Sequence, residues 1–270
     1  MVNRDSAFVG TIPATYHTYL GPMLFHGFAD DLAARLPAMP EIRVLEIACG
    51  TGILTERLLG RLGANGTLVA TDLNEAMFQL AQQRIGPQPG LEWRQADGGK
   101  LPFADASFDA IVCQFGLMFF PDKAAGVREA FRVLKPGGSY LFNVWDTIGA
   151  NPGPGIAAET IAPYFGDLPL PFLGTPFSLH EPEPIRDWLT AAGFANIEWR
   201  TLSKIGTSPS AKHAATGQVL GSPLHTEIMS RFPELLDEIV AAVARNYTAR
   251  LGGDPVQFPL RAHVFSATRP

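Results

Sequence analysis

The sequence predicts an α/β protein: a doubly wound, mostly parallel sheet with helices on both faces. Three observations carry this. Short apolar runs alternate with helical segments over the first 145 residues, glycines or capping residues punctuate the joins, and the first strand-to-helix join is a cluster of small residues. Strands alternating with short helices pair in parallel through right-handed crossovers. In such sheets ligands bind beyond the carboxyl ends of the strands, where the strand order reverses.

Residues 43–49 form a continuous apolar run with one acid, as expected of a strand buried on both faces. Gly50-Thr51-Gly52 breaks it, and residues 53–62 carry leucines at helical spacing. Residues 67–73 are the second strand, and Asn74 is an N-cap for a helix over residues 75–85. Residues 91–96 read as a short third strand and residues 108–115 as an apolar fourth. A helix over residues 121–134 is stopped by Lys135-Pro136-Gly137-Gly138, and residues 139–145 are the fifth strand. The texture then changes. Residues 146–184 are crowded with Pro, Gly and Phe and show no clean period, the mark of a binding element or lid. Residues 184–192 are helical, 195–203 a sixth strand, and 208–251 a helical insertion with Leu235, Leu236, Ile239, Val240, Val243 and Tyr247 on one face. Residues 256–268 are a last strand, and Pro259 inside it points to an edge or a bulge.

Composition narrows the class. A chain of 270 residues fits one large domain or a domain with a substantial insertion. Hydrophobic residues are 46% and charged residues 17%, the latter below the usual ~25%, which excludes disorder and implies extra apolar surface in the core or a pocket. A net charge of −5 and the lack of basic runs argue against nucleic acid. The two cysteines and six histidines show no ligand spacing, so neither a metal site nor a disulfide framework is expected. Residues 1–6 do not resemble a secretory signal, and no apolar run spans a bilayer, so the expectation is a cytoplasmic protein with no membrane insertion.

The strongest motif is Val44-Leu45-Glu46-Ile47-Ala48-Cys49-Gly50-Thr51-Gly52. Small residues there admit close approach of a ligand to the backbone. A dinucleotide fingerprint would need glycine at position 55, where the chain has Thr55, and it leaves Glu46 unexplained. Thr71-Asp72-Leu73-Asn74 closes the second strand about 20 residues on, where an acid accepts from ribose hydroxyls. Gln95-Ala96-Asp97-Gly98 follows the third strand. Residues 101–112, then Gln114-Phe115 and Arg132-Val133-Leu134-Lys135-Pro136-Gly137-Gly138, complete the series.

In this order the motifs resemble those of class I S-adenosylmethionine-dependent methyltransferases, of the subfamily that includes the ubiquinone and menaquinone C-methyltransferases and many natural-product enzymes. The resemblance covers the first 145 residues, and more loosely residues 184–203. The chain departs from it at the first glycine of the turn, which is Ala48. The resemblance implies seven strands with the last antiparallel, S-adenosyl-L-methionine as cofactor with S-adenosyl-L-homocysteine as product, and no metal. It implies a cofactor shell of Glu46, Ala48, Cys49, Gly50, Gly52, Asp72, Leu73, Met77, Ala96, Asp97, Gly98, Gln114 and Phe115, with Tyr16 or Tyr19 reaching it from a leading helix. The division that follows is an N-terminal helical cap (1–40), a cofactor-binding core (41–145), a lid insertion (146–183), a core continuation (184–204), a helical lid insertion (205–254) and a last core strand (255–270).

Methyl transfer is an in-line displacement that needs orientation and dryness more than a catalytic group. Should the acceptor require a general base, His17, His26, His180, His213 and His225 are candidates, and His17, beside the tyrosines, is the first. The fourth strand ends Gln114-Phe115-Gly116-Leu117, unlike the proline-rich element of enzymes that methylate base amino groups. Phe115, Met118, Phe119, Phe120, Phe165, Phe172 and Phe177 suit a small apolar or aromatic acceptor. The sequence leaves the oligomeric state open, monomer or homodimer. Two other classes stay open: a non-catalytic S-adenosylmethionine-binding regulatory protein on the same fold, and a nicotinamide-dependent oxidoreductase.

Overall fold

The computed structural model describes residues 8–166, 168 and 171–270. The reading of residues 1–6 lies outside them, as do parts of the ranges 1–40 and 146–183. The chain begins with α1 (Ile12–Thr15), a π-helical stretch (Tyr16–Phe25) and α2 (His26–Ala34). The alternating half follows: β1 (Arg43–Ile47), α3 (Ile53–Leu59), β2 (Thr67–Asp72), α4 (Glu75–Ile85), β3 (Leu91–Gln95), β4 (Phe108–Gln114), α5 (Lys123–Val133) and β5 (Leu134–Trp145). Then come α6 (Pro152–Phe165), α7 (Pro171–Gly174), α8 (Pro182–Ala192), β6 (Ala195–Ser208), α9 (Ala211–Leu220), α10 (Leu224–Arg231), α11 (Leu236–Leu251) and β7 (Val256–Thr268).

The strands form one seven-stranded sheet in the order β3-β2-β1-β4-β5-β7-β6. Pairs from β3 through β5 are parallel, and β7 runs antiparallel to both β5 and β6. The order reverses between β1 and β4, so the carboxyl ends of those two strands mark the switch point. Four of the five β1 residues are buried, and β5 ends in a run of buried residues, as a strand covered on both faces requires. Asn74 caps α4 as expected, its Oδ1 accepting from Met77 N at 3.0 Å, and Asp122, which the sequence reading did not single out, caps α5, its Oδ1 accepting from Ala125 N at 2.8 Å.

Several boundaries differ from the sequence reading, each for a local reason. β1 stops at Ile47 because Ala48 takes a left-handed φ of 57°. β5 starts at Leu134 and runs through Lys135-Pro136-Gly137-Gly138, with a register shift against β4 between Phe108 and Ala110 absorbing the irregularity. β6 continues to Ser208, past the expected 203, because β7 pairs with it along its whole length. β7 is an inner strand, not an edge. Its β5 partner covers only Ala262–Thr268, however, so Pro259 lies where β6 alone flanks it and its missing N–H breaks no bond to β5. The range 146–184, read as irregular, contains the fourteen-residue α6. Its buried Gly153, Ile156, Ala157, Ile161 and Phe165 do follow a helical period; Pro152 and Pro154, tolerated in the first turn, and Pro163, inside the last turn, mask it. In α11 the expected apolar face is present, with Ile239, Val243 and Tyr247 fully buried. No helix among the described residues is long and apolar enough to cross a membrane.

Arg132 ties the segment after β3 to α5. Its guanidinium donates to the carbonyls of Leu101 (2.9 Å) and Phe103 (2.7 Å) and pairs with Glu129 and Asp105. Arg132→Met leaves those half-buried carbonyls without a donor. Urea unfolding is expected to show a loss of about 1–3 kcal/mol, and an unchanged midpoint would refute this role.

Candidate active site at the switch point

The site is built on the turn that leaves β1. Ala48, Gly50 and Gly52 have φ of 57°, 58° and 82°, and Gly52 is the N-cap of α3. A Cβ on Gly52 would sit 2.6 Å from Ile85 Cδ1, whereas one on Gly50 would meet only Met77 Cε at 3.7 Å. Both glycines are therefore required by their left-handed backbone, and at Gly52 the Ile85 and Ala81 side chains crowd a Cβ as well. The alanine at position 48 is accommodated from across the sheet. A Cβ on Gly116 would lie 2.5 Å from the Ala48 methyl, so the glycine after β4 makes the room that the alanine takes up.

Asp72, at the end of β2, holds this turn. Its carboxylate accepts from Gly50 N and from Asn74 N, both at 2.7 Å. Burial pushes its carboxyl up while those N–H donors pull it down. Two oxygens with about four acceptor positions leave room for further donors. Leu73 beside it is 58% exposed. Ala96 is buried; Asp97 is exposed and its carboxylate accepts from Gly99 N at 2.8 Å; Gly98 is buried beneath the Phe120 ring.

Glu46 is buried inside the sheet. Thr55, the residue that breaks the dinucleotide pattern, donates its hydroxyl to Glu46 Oε2 at 2.6 Å. Oε1 has no hydrogen-bond partner. Burial pushes the Glu46 carboxyl up to about 8, against the opposing pull of the Thr55 hydroxyl, with Asp72 adding a further upward push. Gln114 Oε1, at the end of β4, is likewise buried without a partner. Buried polar atoms are normally bonded. Two orphaned oxygens at the ends of the strands that flank the switch point therefore suit a ligand that brings hydrogen-bond donors or positive charge.

Next to these residues lies a cavity of about 110 Å³ walled by aliphatic groups and by the rings of Tyr16, Phe25, Phe115, Phe119, Trp145 and Phe172 among others. Phe115 stacks on Trp145 at 3.9 Å and 9° between planes, and Tyr16 stacks on Phe25 at 5.0 Å. Asn143 fixes Phe115 in its left-handed conformation (φ 49°), because its side-chain Oδ1 accepts from Phe115 N at 2.9 Å. The Tyr16 phenol is held far above its ordinary value by burial and by the charge of Asp72.

The predicted residues divide as follows. Glu46, Gly50, Asp72, Leu73, Gln114, Phe115 and Tyr16 converge on the carboxyl ends of β1, β2 and β4 or on the cavity. The side chain of Cys49 packs with Ala70 and Phe78, so only its backbone belongs to the turn. Met77 is buried and contributes its methyl beneath Gly50. Tyr19 turns toward α9 and packs on His213 at 4.3 Å. His17 Nδ1 lies 3.1 Å from Thr51 Oγ1, and burial together with Arg84 pushes its imidazole down to about 4. None of the five histidines considered as bases is among the described residues that line the cavity. Of the aromatic set, Phe115, Phe119, Phe172 and Phe177 line it, whereas Met118 is core, Phe120 covers Gly98 and Gly126, and Phe165 packs on Phe232. Reasoning from sequence missed Thr55, Asn143, Gly116, Trp145 and Gln218. Only Trp145, which closes an apolar strand, had a readable signal.

The comparisons agree with this geometry. The methyltransferase domain family matches residues 45–142. Demethylmenaquinone methyltransferase of Clavibacter sepedonicus is 32% identical over 189 residues, covering 64% of this chain and 76% of that protein. Ubiquinone/menaquinone biosynthesis C-methyltransferase UbiE of Idiomarina loihiensis is 31% identical over 175 residues, covering 60% and 70%. Among solved structures, phosphoethanolamine N-methyltransferase 2 of Haemonchus contortus, in complex with S-adenosyl-L-methionine, aligns with a TM-score of 0.64 at 16% identity, over 100% of this chain and 60% of that one. Fold, turn and relatives define a class I S-adenosylmethionine-dependent methyltransferase. The chain belongs to that family, on the branch similar to the quinone-biosynthesis enzymes, and it is an enzyme of that type rather than a nicotinamide-dependent oxidoreductase. S-adenosylmethionine is the cofactor that the family implies.

The Glu46 carboxyl titrates near 8 in the folded chain and near the ordinary 4.5 when unfolded. The folded state therefore holds the proton that the unfolded state gives up, and stability falls as pH rises from about 4.5 to about 8. Glu46→Gln should flatten that part of the melting-temperature profile of the ligand-free protein, gaining on the wild type at pH 8 relative to pH 5. Parallel profiles would show that the carboxyl is not buried as described.

Proposed function

We propose that the chain methylates a small, hydroxylated aromatic ring of the quinol type, seated in the ring-walled cavity. The carrying observation is the composition of that wall. Apart from Tyr16, no titratable side chain is among the described lining residues, so the wall offers dryness and shape but no general base. The nucleophile must then be supplied by the acceptor itself, as an electron-rich ring supplies it at a carbon activated by its own hydroxyl: the ring carbon takes the methyl, the sulfonium becomes a neutral thioether, and the proton displaced from the ring passes to solvent. The relatives named for demethylmenaquinone and for ubiquinone/menaquinone C-methylation support this class.

In this reading Glu46, Gly50, Asp72, Leu73, Asp97 and Gln114 hold the cofactor, and the backbone of Ala48, Cys49 and Gly52 shapes the turn around it. S-adenosylmethionine supplies a methyl group on a sulfonium, ready for in-line displacement. Asp72 accepts hydrogen bonds and holds Gly50 at the same time. Glu46 and Gln114 present acceptor oxygens toward cationic or N–H groups. Tyr16 and Phe115 separate this polar shell from the acceptor, and Phe115 with Trp145 forms a flat face against which a ring can stack. Water excluded by these rings cannot compete for the methyl group. Tyr19 and His17 are left out of the acceptor-contacting set; His17 braces Thr51 in the turn.

Two measurements test this. Asp72→Ala and Gly50→Val should each weaken S-adenosylhomocysteine binding by at least about 10-fold (~1.4 kcal/mol) with the fold retained by circular dichroism; unchanged affinity in both removes the site assignment. Production of S-adenosylhomocysteine should accelerate with 1,4-dihydroxynaphthalene and not with ethanolamine-type amines. Acceleration by the amines alone would contradict the acceptor class.

A further inference from the structure

Among the described lining residues, one fully buried donor has no partner. Gln218 on α9 is a lining residue, and its Nε2 is buried without a hydrogen-bond acceptor. Leaving such a donor unpaired costs about 1–3 kcal/mol, and an apolar side chain of the same length would avoid that cost. The placement is built in by the packing of α9 on the π-helical stretch. A Cβ on Gly217 would sit 2.9 Å from Tyr19 Cβ, and one on Gly221 3.2 Å from Tyr16 Cα, so only glycines allow the two helices to approach this closely. That approach sets Gln218 and Tyr16 in the walls of one cavity. The third polar lining residue, Ser222, is already committed, because its hydroxyl donates to the Gln218 carbonyl at 3.0 Å. The remaining wall is made of rings and aliphatic groups.

We infer that Gln218 is a specificity-determining residue whose side-chain amide hydrogen-bonds an oxygen on the ring of the methyl acceptor, so that the cavity selects oxygen-bearing rings over hydrocarbon rings of the same shape. This rests on the quinol-type reading above and adds the group that reads the oxygen. The selection is by neutral hydrogen bonding: no charged side chain is among the described lining residues, so an ionic substituent finds no counter-ion there.

The test uses the full chain saturated with S-adenosylhomocysteine and a matched pair of probes, 1-naphthol and 1-methylnaphthalene, which differ by a hydroxyl against a methyl. The wild type is expected to bind 1-naphthol about 10-fold or more tightly than 1-methylnaphthalene by equilibrium titration. Gln218→Met, which keeps the length of the side chain, is expected to bring that ratio to about one or below, with S-adenosylhomocysteine affinity unchanged. Gln218→Leu is the second variant, should the first disturb α9. A purely structural role would weaken both probes together and leave their ratio intact, and a retained ratio in both variants overturns the inference while sparing the acceptor reading. Binding of neither probe by a wild type that still binds S-adenosylhomocysteine overturns the acceptor reading and takes this inference with it.

Discussion

The structure depends on a single constraint: the chain must leave β1 through three left-handed residues, Ala48, Gly50 and Gly52, and still enter α3. A backbone in that conformation does not hold itself. It is held by the Asp72 carboxylate, which reaches from the neighbouring strand to Gly50 N, and by the backbone bond from Cys49 N to the Thr71 carbonyl. Both ties require β1 and β2 to be in parallel register, with Ile47 beside Thr71. The sheet order, the register and the turn are thus one arrangement, and the site exists only because all three agree.

That arrangement separates two environments within a few residues. On one side are polar groups left short of partners, Glu46 Oε1 and Gln114 Oε1, in surroundings where an unpaired acceptor is costly. On the other is a cavity walled by rings, in which Asn143 pins Phe115 against Trp145. In the proposed function a charged methyl donor occupies the first environment and a ring-bearing acceptor the second, so that two ligands of opposite polarity lie end to end and preorganised polar groups serve the donor side without a base on the acceptor side.

The legible parts of this design were local in sequence. Alternation of apolar runs showed the parallel half, Asn74 announced its helix, and the acids at 46 and 72 fell where the turn needs them. What could not be read was set by contacts between distant segments. Thr55 looks like a failed glycine until it is seen donating to Glu46. Gly116 compensates Ala48 across 68 positions of chain, and no spacing rule connects them. α6 is hidden by prolines: Pro152 and Pro154 are harmless only once the helix start is known, and Pro163 falls inside the helix. Histidines drew attention as bases because of their chemistry, yet the packing sends His17 to Thr51 and His213 beneath Tyr19.

Burial holds the Glu46 carboxyl up at about 8 in the ligand-free site, and in the proposed function this neutral acid gives up its proton to face the cofactor's positive charge. Calorimetric titration with S-adenosylmethionine at pH 7, repeated in buffers of different ionisation enthalpy, measures the protons exchanged on binding. Release approaching one proton by the wild type, and close to none by Glu46→Gln, is the predicted result. Binding by the wild type with no proton release would contradict it, and would mean that the orphaned oxygen at the end of β1 does not face the cofactor.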